Sequence, residues 1–217
     1  MCNVEPCVTV PGARTKVLGT NPIAYAVPTG NERPVFLDIA TSTVAATKIF
    51  AARDLDQPIP ADWLVDDEGI PTTDPRSFPE KGAMLPMAGH KGYGLALLVE
   101  ILTAVLTGAA ITSQVKSWVL DTPEPTNVGH AFLAIDIAQM MPLAPFKERM
   151  DGLIREINTA PKAKGADRIY LPGEMEWERY DAAAIKGIPL PPDVVASLRG
   201  LAEDVGLDAG RLFPPEG

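Results

Sequence analysis

The longest apolar stretch of the chain runs from Leu95 to Leu106 and contains one charged residue, Glu100. Apolar side chains on every side of this stretch predict a helix over residues 92–107 that is buried all round, in a core or a subunit interface. Gly108 is placed to end that helix. A membrane span needs about 20 apolar residues, so we expect a buried helix here and no membrane-spanning one.

Two shorter apolar runs nearer the N-terminus have the composition of strands. We expect strands over residues 23–27 and 35–39, joined by a turn over residues 28–34 that begins and ends with proline. A helix is predicted over residues 44–53. Three hydroxyl residues that precede it are candidates for its N-cap: Thr41, Ser42 and Thr43.

The second half of the chain is predicted to be mainly helical. Residues 131–136 and 168–171 have the apolar composition of strands. Residues 145–157 show helical spacing of their apolar positions. Two further helices are expected over residues 176–186 and 192–205.

We divide the chain into a lead-in, one α/β domain and a tail. Residues 1–18 are expected to form an irregular lead-in, residues 19–205 the domain, and residues 206–217 a frayed C-terminal tail. Residues 54–87 are rich in Pro, Asp and Gly, which predicts an extended loop inside the domain.

Composition and charge narrow the class of protein. The chain has 217 residues, of which 46% are hydrophobic and 22% charged, as in an ordinary globular protein. Its net charge of −9 argues against nucleic-acid binding, because neutralising phosphates requires a basic surface. Two cysteines and two histidines are too few for a disulfide scaffold or a histidine-rich metal centre. We therefore expect no metal, no signal peptide and a reducing, cytoplasmic compartment.

Candidate chemistry is concentrated in the glycine-rich segment 88–94, directly before the long apolar run. Glycine lets a backbone approach a ligand closely, and a helix N-terminus favours anions such as phosphate or carboxylate. With His90 and Lys91 added, the segment is a candidate anion site. The alternative is a tight loop with a solvated Lys91 and a capping His90.

A second candidate ligand site follows the predicted strand 35–39. Asp38 lies near the end of that strand, and the small residues 40–43 come next, in the strand–loop–helix layout at which α/β proteins bind ligands. The alternative is a plain helix cap. Asp66 and Asp67 form an acidic cluster that by composition indicates a solvated turn.

The motifs that would name an ordinary nucleotide-binding or hydrolytic site are absent. The sequence has no Gly-x-Gly-x-x-Gly, no P-loop and no Gly-x-Ser-x-Gly. Five other motifs, however, occur in the order of one known family. These motifs are Gly19-Thr20-Asn21-Pro22-Ile23-Ala24, Leu37-Asp38-Ile39-Ala40-Thr41-Ser42, Pro71-Thr72-Thr73-Asp74-Pro75, Gly89-His90-Lys91-Gly92-Tyr93-Gly94-Leu95-Ala96 and Leu171-Pro172-Gly173-Glu174. On these motifs the chain resembles the malate/L-lactate dehydrogenase family of the sulfolactate dehydrogenase type.

The resemblance implies a fold and a set of cofactor contacts. The fold is a three-layer α/β/α arrangement with a mixed sheet, which binds NAD or NADP without the glycine fingerprint. The family also includes ureidoglycolate dehydrogenases, diketogulonate reductases and piperideine-carboxylate reductases. By resemblance, Asp66 falls near the substrate and is the candidate catalytic residue. The implied cofactor-binding residues are Asp38, Ala40, Thr41, Ser42, Thr43, His90, Lys91, Gly173 and Glu174.

The implied reaction is hydride transfer between a nicotinamide and the C2 carbon of a small 2-oxo acid or imine. In the family, the proton donor is a histidine of an N-terminal section, and neither His90 nor His130 matches that motif. We therefore expect residues 1–18 to continue a section that this chain lacks. Two hypotheses follow: the cofactor-binding part of a 2-hydroxy-acid dehydrogenase, or a non-catalytic remnant that binds nucleotide or supports oligomerisation. A homodimer or a companion N-terminal chain is the expected partner, and self-association is expected from the surface left uncovered.

Overall fold

The predicted strand pair at residues 23–39 is present in the structure. The structure, a computed structural model, describes residues 1–118 and 123–212. Strand β1 (Ile23–Val27) pairs antiparallel with β2 (Val35–Ile39), in a register that places Ile23 opposite Ile39 and Val27 opposite Val35. Both predicted strands are confirmed with their bounds.

The helix after β2 begins later than its sequence predicts. Helix α1 spans Ala46–Asp54, and its N-cap is Ala45, which makes no side-chain capping bond. The prediction that a hydroxyl from the preceding residues 41–43 caps this helix is therefore wrong. The physical reason is that the hydroxyls of Thr41 and Ser42 already donate to backbone carbonyls of the loop.

The segment predicted as an extended loop, residues 54–87, contains a small sheet. Its strands are β3 (Leu64–Val65), β4 (Pro71–Thr72) and β5 (Ala83–Met84), with β3 in the centre and both neighbours antiparallel to it. Strands of two residues carry no readable apolar alternation, and long-range hydrogen bonds define them instead.

Residues of the predicted lead-in extend this sheet. Val8 forms a parallel bridge with Met84 of β5 and an antiparallel bridge with Leu18. The strand pairing is therefore mixed at this point, and these three side chains are buried. Residues 1–18 thus contribute to the core of the domain. That core lies between the sheet and α1 and consists of Val8, Val44, Ile49, Ile59, Leu64, Phe78 and Met84.

The long apolar run forms helix α2 (His90–Glu100), which continues as a π-helical turn over Ile101–Val105. Of the two alternatives predicted for this helix, burial on all sides in a core and burial in a subunit interface, the first is wrong. Only one face is buried, formed by Gly92, Ala96, Val99, Glu100, Thr103 and Ala104, and the opposite face is exposed at Leu95, Leu98, Ile101 and Val105. A subunit interface on that exposed face stays a prediction.

The later helices are confirmed, and the two later strands are not. Helix α3 spans Leu143–Thr159, α4 Glu174–Lys186 and α5 Pro192–Asp204. Residues 131–136 and 168–171 form no strand, because no described segment pairs with them along a ladder. The predicted frayed tail contains the short helix α6 (Ala209–Leu212), and its last residues, 213–217, lie outside the described residues.

The chain divides into two compact units, Met1–Pro172 and Gly173–Gly217. The first contains both sheets and helices α1 to α3. The second contains α4, α5 and α6. No helix among residues 1–118 and 123–212 is long and apolar enough to cross a membrane.

Candidate functional site

Two of the sequence-predicted cofactor segments lie side by side in the structure. The backbone N–H of Thr43 donates to the carbonyl of Leu85 at 2.9 Å, and the N–H of Met87 donates to the carbonyl of Thr41, also at 2.9 Å. Between them, Ser42 and Pro86 form an antiparallel bridge. We call this pairing the 41–43/85–87 ladder. It places the loop after β2 directly beside the start of α2.

The hydroxyl groups of this loop hold its conformation. The Thr41 Oγ1–H donates to the carbonyl of Thr20 at 2.8 Å, and the Thr41 N–H donates to the same oxygen. The Ser42 Oγ–H donates to the carbonyl of Val44 at 2.8 Å. Both side chains are buried. Thr41 and Ser42 therefore shape the loop, whereas Thr43 is only half-buried.

Glycines determine the backbone path into helix α2. Gly89, the N-cap, has φ 60° and ψ −125°, a region that residues with a Cβ rarely adopt. Inside the first turn, a Cβ on Gly92 would overlap the backbone carbonyl of Met87. The helix start can approach the 41–43/85–87 ladder this closely because both positions are glycine.

His90 and Lys91 are exposed in the first turn of α2. Neither side chain has a hydrogen bond or an ion pair within the described part of the chain, and the N–H of His90 likewise meets no acceptor there. Because the helix cap is Gly89 and no side-chain capping bond is present, the alternative that His90 caps the helix is wrong. Unpaired donors, a cation and the positive end of a helix dipole fit an anionic group such as a phosphate.

Asp66 lies in the turn between β3 and β4. Its Oδ1 accepts hydrogen bonds from the N–H groups of Glu68 at 3.0 Å and Ile70 at 2.9 Å. The carboxylate therefore has a structural role in the hairpin, in agreement with the turn that its composition indicates. Val65, directly before Asp66, and Gly69, three residues after it, line a pocket of about 400 Å³ together with His90. A catalytic role for Asp66 stays a prediction.

The remaining predicted site residues divide between the two units. Asp38 lies on β2 opposite Ala24 of β1, with its side chain exposed, and Ala40 follows half-buried at the start of the loop. Gly173 is the N-cap of α4 with φ 92°, and Glu174 is the first residue of that helix. Both belong to the second unit, so the predicted closure of Gly173 and Glu174 over a cofactor stays a prediction.

Sequence reasoning missed two buried polar residues beside this site. Asn21 Nδ2 donates to Glu100 Oε2 at 2.9 Å, and both residues are almost inaccessible to solvent. A charged residue in the middle of an apolar helix was a signal, because a buried carboxylate requires hydrogen-bond donors. The sequence did not identify Asn21 as its partner.

Cys7 packs against the core beside β5, and burial raises the pKa of its thiol to about 12. Among the residues that the structure describes, no group of three or more His, Cys, Asp or Glu side chains is placed to hold a metal ion.

Comparison with known proteins identifies the family. Residues 1–199 match the family model described as malate/L-lactate dehydrogenase. The chain belongs to the malate/L-lactate dehydrogenase family. The resemblance inferred from the five sequence motifs is thereby confirmed.

Several relatives in this family are dehydrogenases of greater length. The chain is 36% identical to a malate dehydrogenase of Pyrococcus horikoshii, over 96% of this chain and 59% of that protein. It is 34% identical to the ureidoglycolate dehydrogenase (NAD(+)) of Escherichia coli, over 89% of this chain and 55% of that protein. The sulfolactate dehydrogenase structure from Methanocaldococcus jannaschii superposes with a TM-score of 0.85 at 37% identity, over 97% of this chain and 59% of that one. The chain therefore has their fold and spans somewhat more than half of their length.

Proposed function

We propose that this chain provides the nicotinamide-cofactor site of a dehydrogenase that interconverts a small 2-hydroxy acid and its 2-oxo acid. The family supports a 2-hydroxy-acid dehydrogenase. The observation that supports the location of the site is the 41–43/85–87 ladder, which joins the predicted cofactor-binding loop 40–43 to the residues just before His90 and Lys91. A bound nicotinamide dinucleotide would donate the hydride in reduction of the 2-oxo acid and accept it in oxidation of the 2-hydroxy acid.

The residues of the chain would bind and orient that cofactor. Lys91, the His90 N–H and the dipole of α2 would bind phosphate oxygens, since these donors are exposed and unpaired within the described residues. Thr41 and Ser42 would keep the loop backbone in place through their buried hydrogen bonds. Asp38 and Thr43 would contact the cofactor from the neighbouring strand and loop, and Asp66 would lie towards the substrate.

Several finer features belong to the same proposal. We propose the three-layer α/β/α arrangement around a mixed sheet for the complete fold; the parallel Val8–Met84 bridge beside antiparallel strands supports it. Both NAD and NADP are retained as cofactors; the name of the Escherichia coli relative specifies NAD(+). We also propose that the protein forms a homodimer, acts on a small-molecule substrate and is located in the cytoplasm. No proton donor is assigned to this chain.

The test is a titration of the purified chain with NADH and with NADPH, followed by nicotinamide fluorescence. Pyruvate, oxaloacetate and a cyclic imine are then added in turn to the cofactor-loaded protein. Saturable binding that weakens on replacing Lys91 supports the proposed site. Subsequent oxidation of the cofactor by one of these compounds identifies the substrate class.

Each possible result has a distinct meaning. Saturable binding without oxidation supports the cofactor site and agrees with the hypothesis that the proton donor belongs to a section outside this chain. Absence of binding to either nucleotide, in a protein that is folded by circular dichroism, contradicts the proposal and favours a non-catalytic oligomerisation role.

A further inference from the structure

Glu100, the last residue of α2, is a buried carboxylate with no cation beside it among the described residues. Glu100 is 3% exposed; its Oε2 accepts from Asn21 Nδ2 at 2.9 Å and its Oε1 accepts from the N–H of Thr112 at 2.8 Å. No Lys, Arg or His in the described part of the chain pairs with it. Such a group is costly to bury, so its two neutral donors must be placed accurately.

Asn21 connects this carboxylate to the proposed site through hydrogen bonds. Its Nδ2 also donates to the carbonyl of Ala96 in α2 at 3.1 Å, and its Oδ1 accepts from the N–H of Val4 at 3.2 Å. Its backbone carbonyl accepts from Thr41 Oγ1 at 3.2 Å. One residue thus connects the N-terminal segment, helix α2 and the loop of the ladder.

The orientation of the Asn21 carboxamide is determined by these neighbours. In the observed orientation its amide faces two acceptors, the Ala96 carbonyl and the Glu100 carboxylate, and its oxygen faces a donor, the Val4 N–H. The flipped orientation would place oxygen against two acceptors and amide against a donor. The network therefore has one satisfied arrangement.

We propose that Asn21 and Glu100 are positioning residues for the cofactor site. They hold α2, and with it His90 and Lys91, in register with the loop at Thr41. The inference rests on the proposed function for its role in cofactor binding. The register itself is measurable without any cofactor.

A specific test exchanges the two side-chain types, so that the carboxylate lies at position 21 and the amide at position 100. Asn21→Asp places two carboxylates about one hydrogen bond apart in a buried site, and Glu100→Gln leaves an amide facing the donor of either Asn21 or Thr112. The double variant restores a satisfied pair, since the introduced glutamine donates through its Nε2 to the introduced aspartate while its Oε1 still accepts from Thr112. Restoration is expected to be partial, because the introduced aspartate also faces the Ala96 carbonyl.

The control is Asn3→Asp. Asn3 is as buried as Asn21, but its carboxamide donates to the Ala110 carbonyl at 2.9 Å and accepts from the Gly129 N–H at 2.8 Å, and neither partner belongs to the ladder or to the Asn21–Glu100 pair. This variant matches Asn21→Asp in chemistry and burial. Asn3→Asp therefore measures how a general loss of stability changes hydrogen exchange and the Kd.

Two readouts are taken on the intact chain, at a temperature where every variant is folded. The first is amide hydrogen exchange of the segments 41–43 and 85–91. We expect faster exchange there in both single variants, slower exchange again in the double variant, and no change in Asn3→Asp. The second is the Kd for NADH or NADPH, which we expect to rise about tenfold in each single variant and to recover partly in the double variant.

Unchanged exchange in both segments in the single variants would overturn the positioning role, as would an equal effect of Asn3→Asp. Failure of the wild-type chain to bind either nucleotide would contradict the proposed function alone, because the exchange measurement still decides the register. If Asn21→Asp does not fold, Asn21→Gly takes its place: it removes the carboxamide without adding a charge, and glycine tolerates the φ of 31° at this position.

Discussion

The N–H of Met87 donates to the carbonyl of Thr41 at 2.9 Å, which joins the residue before the glycine-rich segment to the loop after β2. These two residues are distant in the sequence: Thr41 belongs to one predicted motif, and Met87 lies just before another. Their hydrogen bond makes one surface from the loop and the start of α2. The predictions below test, by substitution, the packing, the charges and the buried side chains of this surface and of the rest of the chain.

The first prediction concerns Gly92. Gly92→Ala should lower the free energy of unfolding by about 1–3 kcal/mol, because the added methyl overlaps the Met87 carbonyl and pushes α2 away from the ladder. Urea unfolding measures the change. Gly94→Ala is the matched control in the same helix: a Cβ there meets nothing within 4 Å, so stability should stay constant or rise by up to about 1 kcal/mol. Equal destabilisation of the two variants would contradict the packing argument.

The second prediction concerns the exposed cation at the start of α2. Lys91→Ala should raise the Kd for NADH or NADPH about tenfold at low salt, because a charge-assisted contact with phosphate is lost. The difference from wild type should shrink as ionic strength rises. Lys81→Ala removes another exposed lysine, outside the proposed site, and should leave the Kd unchanged. A similar loss in both variants would show that Lys91 contributes only to the general charge.

The third prediction concerns Asp151 on α3, which anchors the turn between β1 and β2. Its pKa lies below the ordinary value, chiefly because the N–H of Asn31 donates to the ionised carboxylate at 2.8 Å; burial acts in the opposite direction, and the N–H of Gly30 adds to the lowering. Because the folded pKa is lowered, the ionised group stabilises the fold above its unfolded pKa of about 3.9. That stabilisation is lost as the pH falls through the folded pKa.

Asp151→Asn should therefore lower Tm by several degrees at neutral pH, and the difference from wild type should disappear in acid. Thermal unfolding across a pH series measures it. Glu156→Gln, on the exposed side of the same helix, should leave Tm nearly constant at every pH. A difference for Asp151→Asn that grows as the pH falls would have the wrong sign for this mechanism.

The fourth prediction concerns the thiol of Cys7. With a pKa of about 12, roughly one thiol in ten thousand is ionised at about pH 8, so alkylation should be very slow in the native protein. Cys2→Ser leaves Cys7 as the single thiol, and iodoacetamide labelling is followed by mass spectrometry. Rapid labelling should appear only when urea is added. Rapid labelling of the folded variant would contradict the raised pKa of the partly buried Cys7 thiol.

The fifth prediction concerns the exposed apolar face of α2. Val105→Lys should reduce self-association at high protein concentration without lowering Tm by more than a degree or so, since Val105 is largely exposed. Light scattering measures the association. Val99→Lys on the buried face of the same helix is the contrast and should unfold the protein. A wild-type chain that remains a monodisperse monomer at high concentration would contradict the expected association.

Local patterns predicted the elements whose stabilising contacts are close in sequence. The strands β1 and β2 pair across a short turn, and α3, α4 and α5 have their own apolar periodicity or helix-forming composition. Motif order also identified the family. For each of these strands and helices the signal lies within a few residues, where backbone preference and side-chain spacing are sufficient.

Elements that depend on a distant partner were not predictable in this way. Residues 131–136 have the composition of a strand but find no ladder partner among the described residues, and the two-residue strands β3 to β5 exist only through their pairing. Likewise, the sequence makes Thr41 a candidate cap or ligand contact, whereas in the structure its hydroxyl donates to the carbonyl of Thr20.

The sequence by itself determined the family, the positions of most helices and the segments from which a cofactor site can be built. Tertiary structure decided which side chains of those segments can contact a ligand. The hydroxyls of Thr41 and Ser42 donate to backbone carbonyls, whereas His90 and Lys91 are exposed. Tertiary structure also decided that Asn21 satisfies Glu100. A polar residue within an apolar stretch of the sequence indicates a buried group that requires a hydrogen-bond partner. Only the folded chain brings that partner within hydrogen-bond distance.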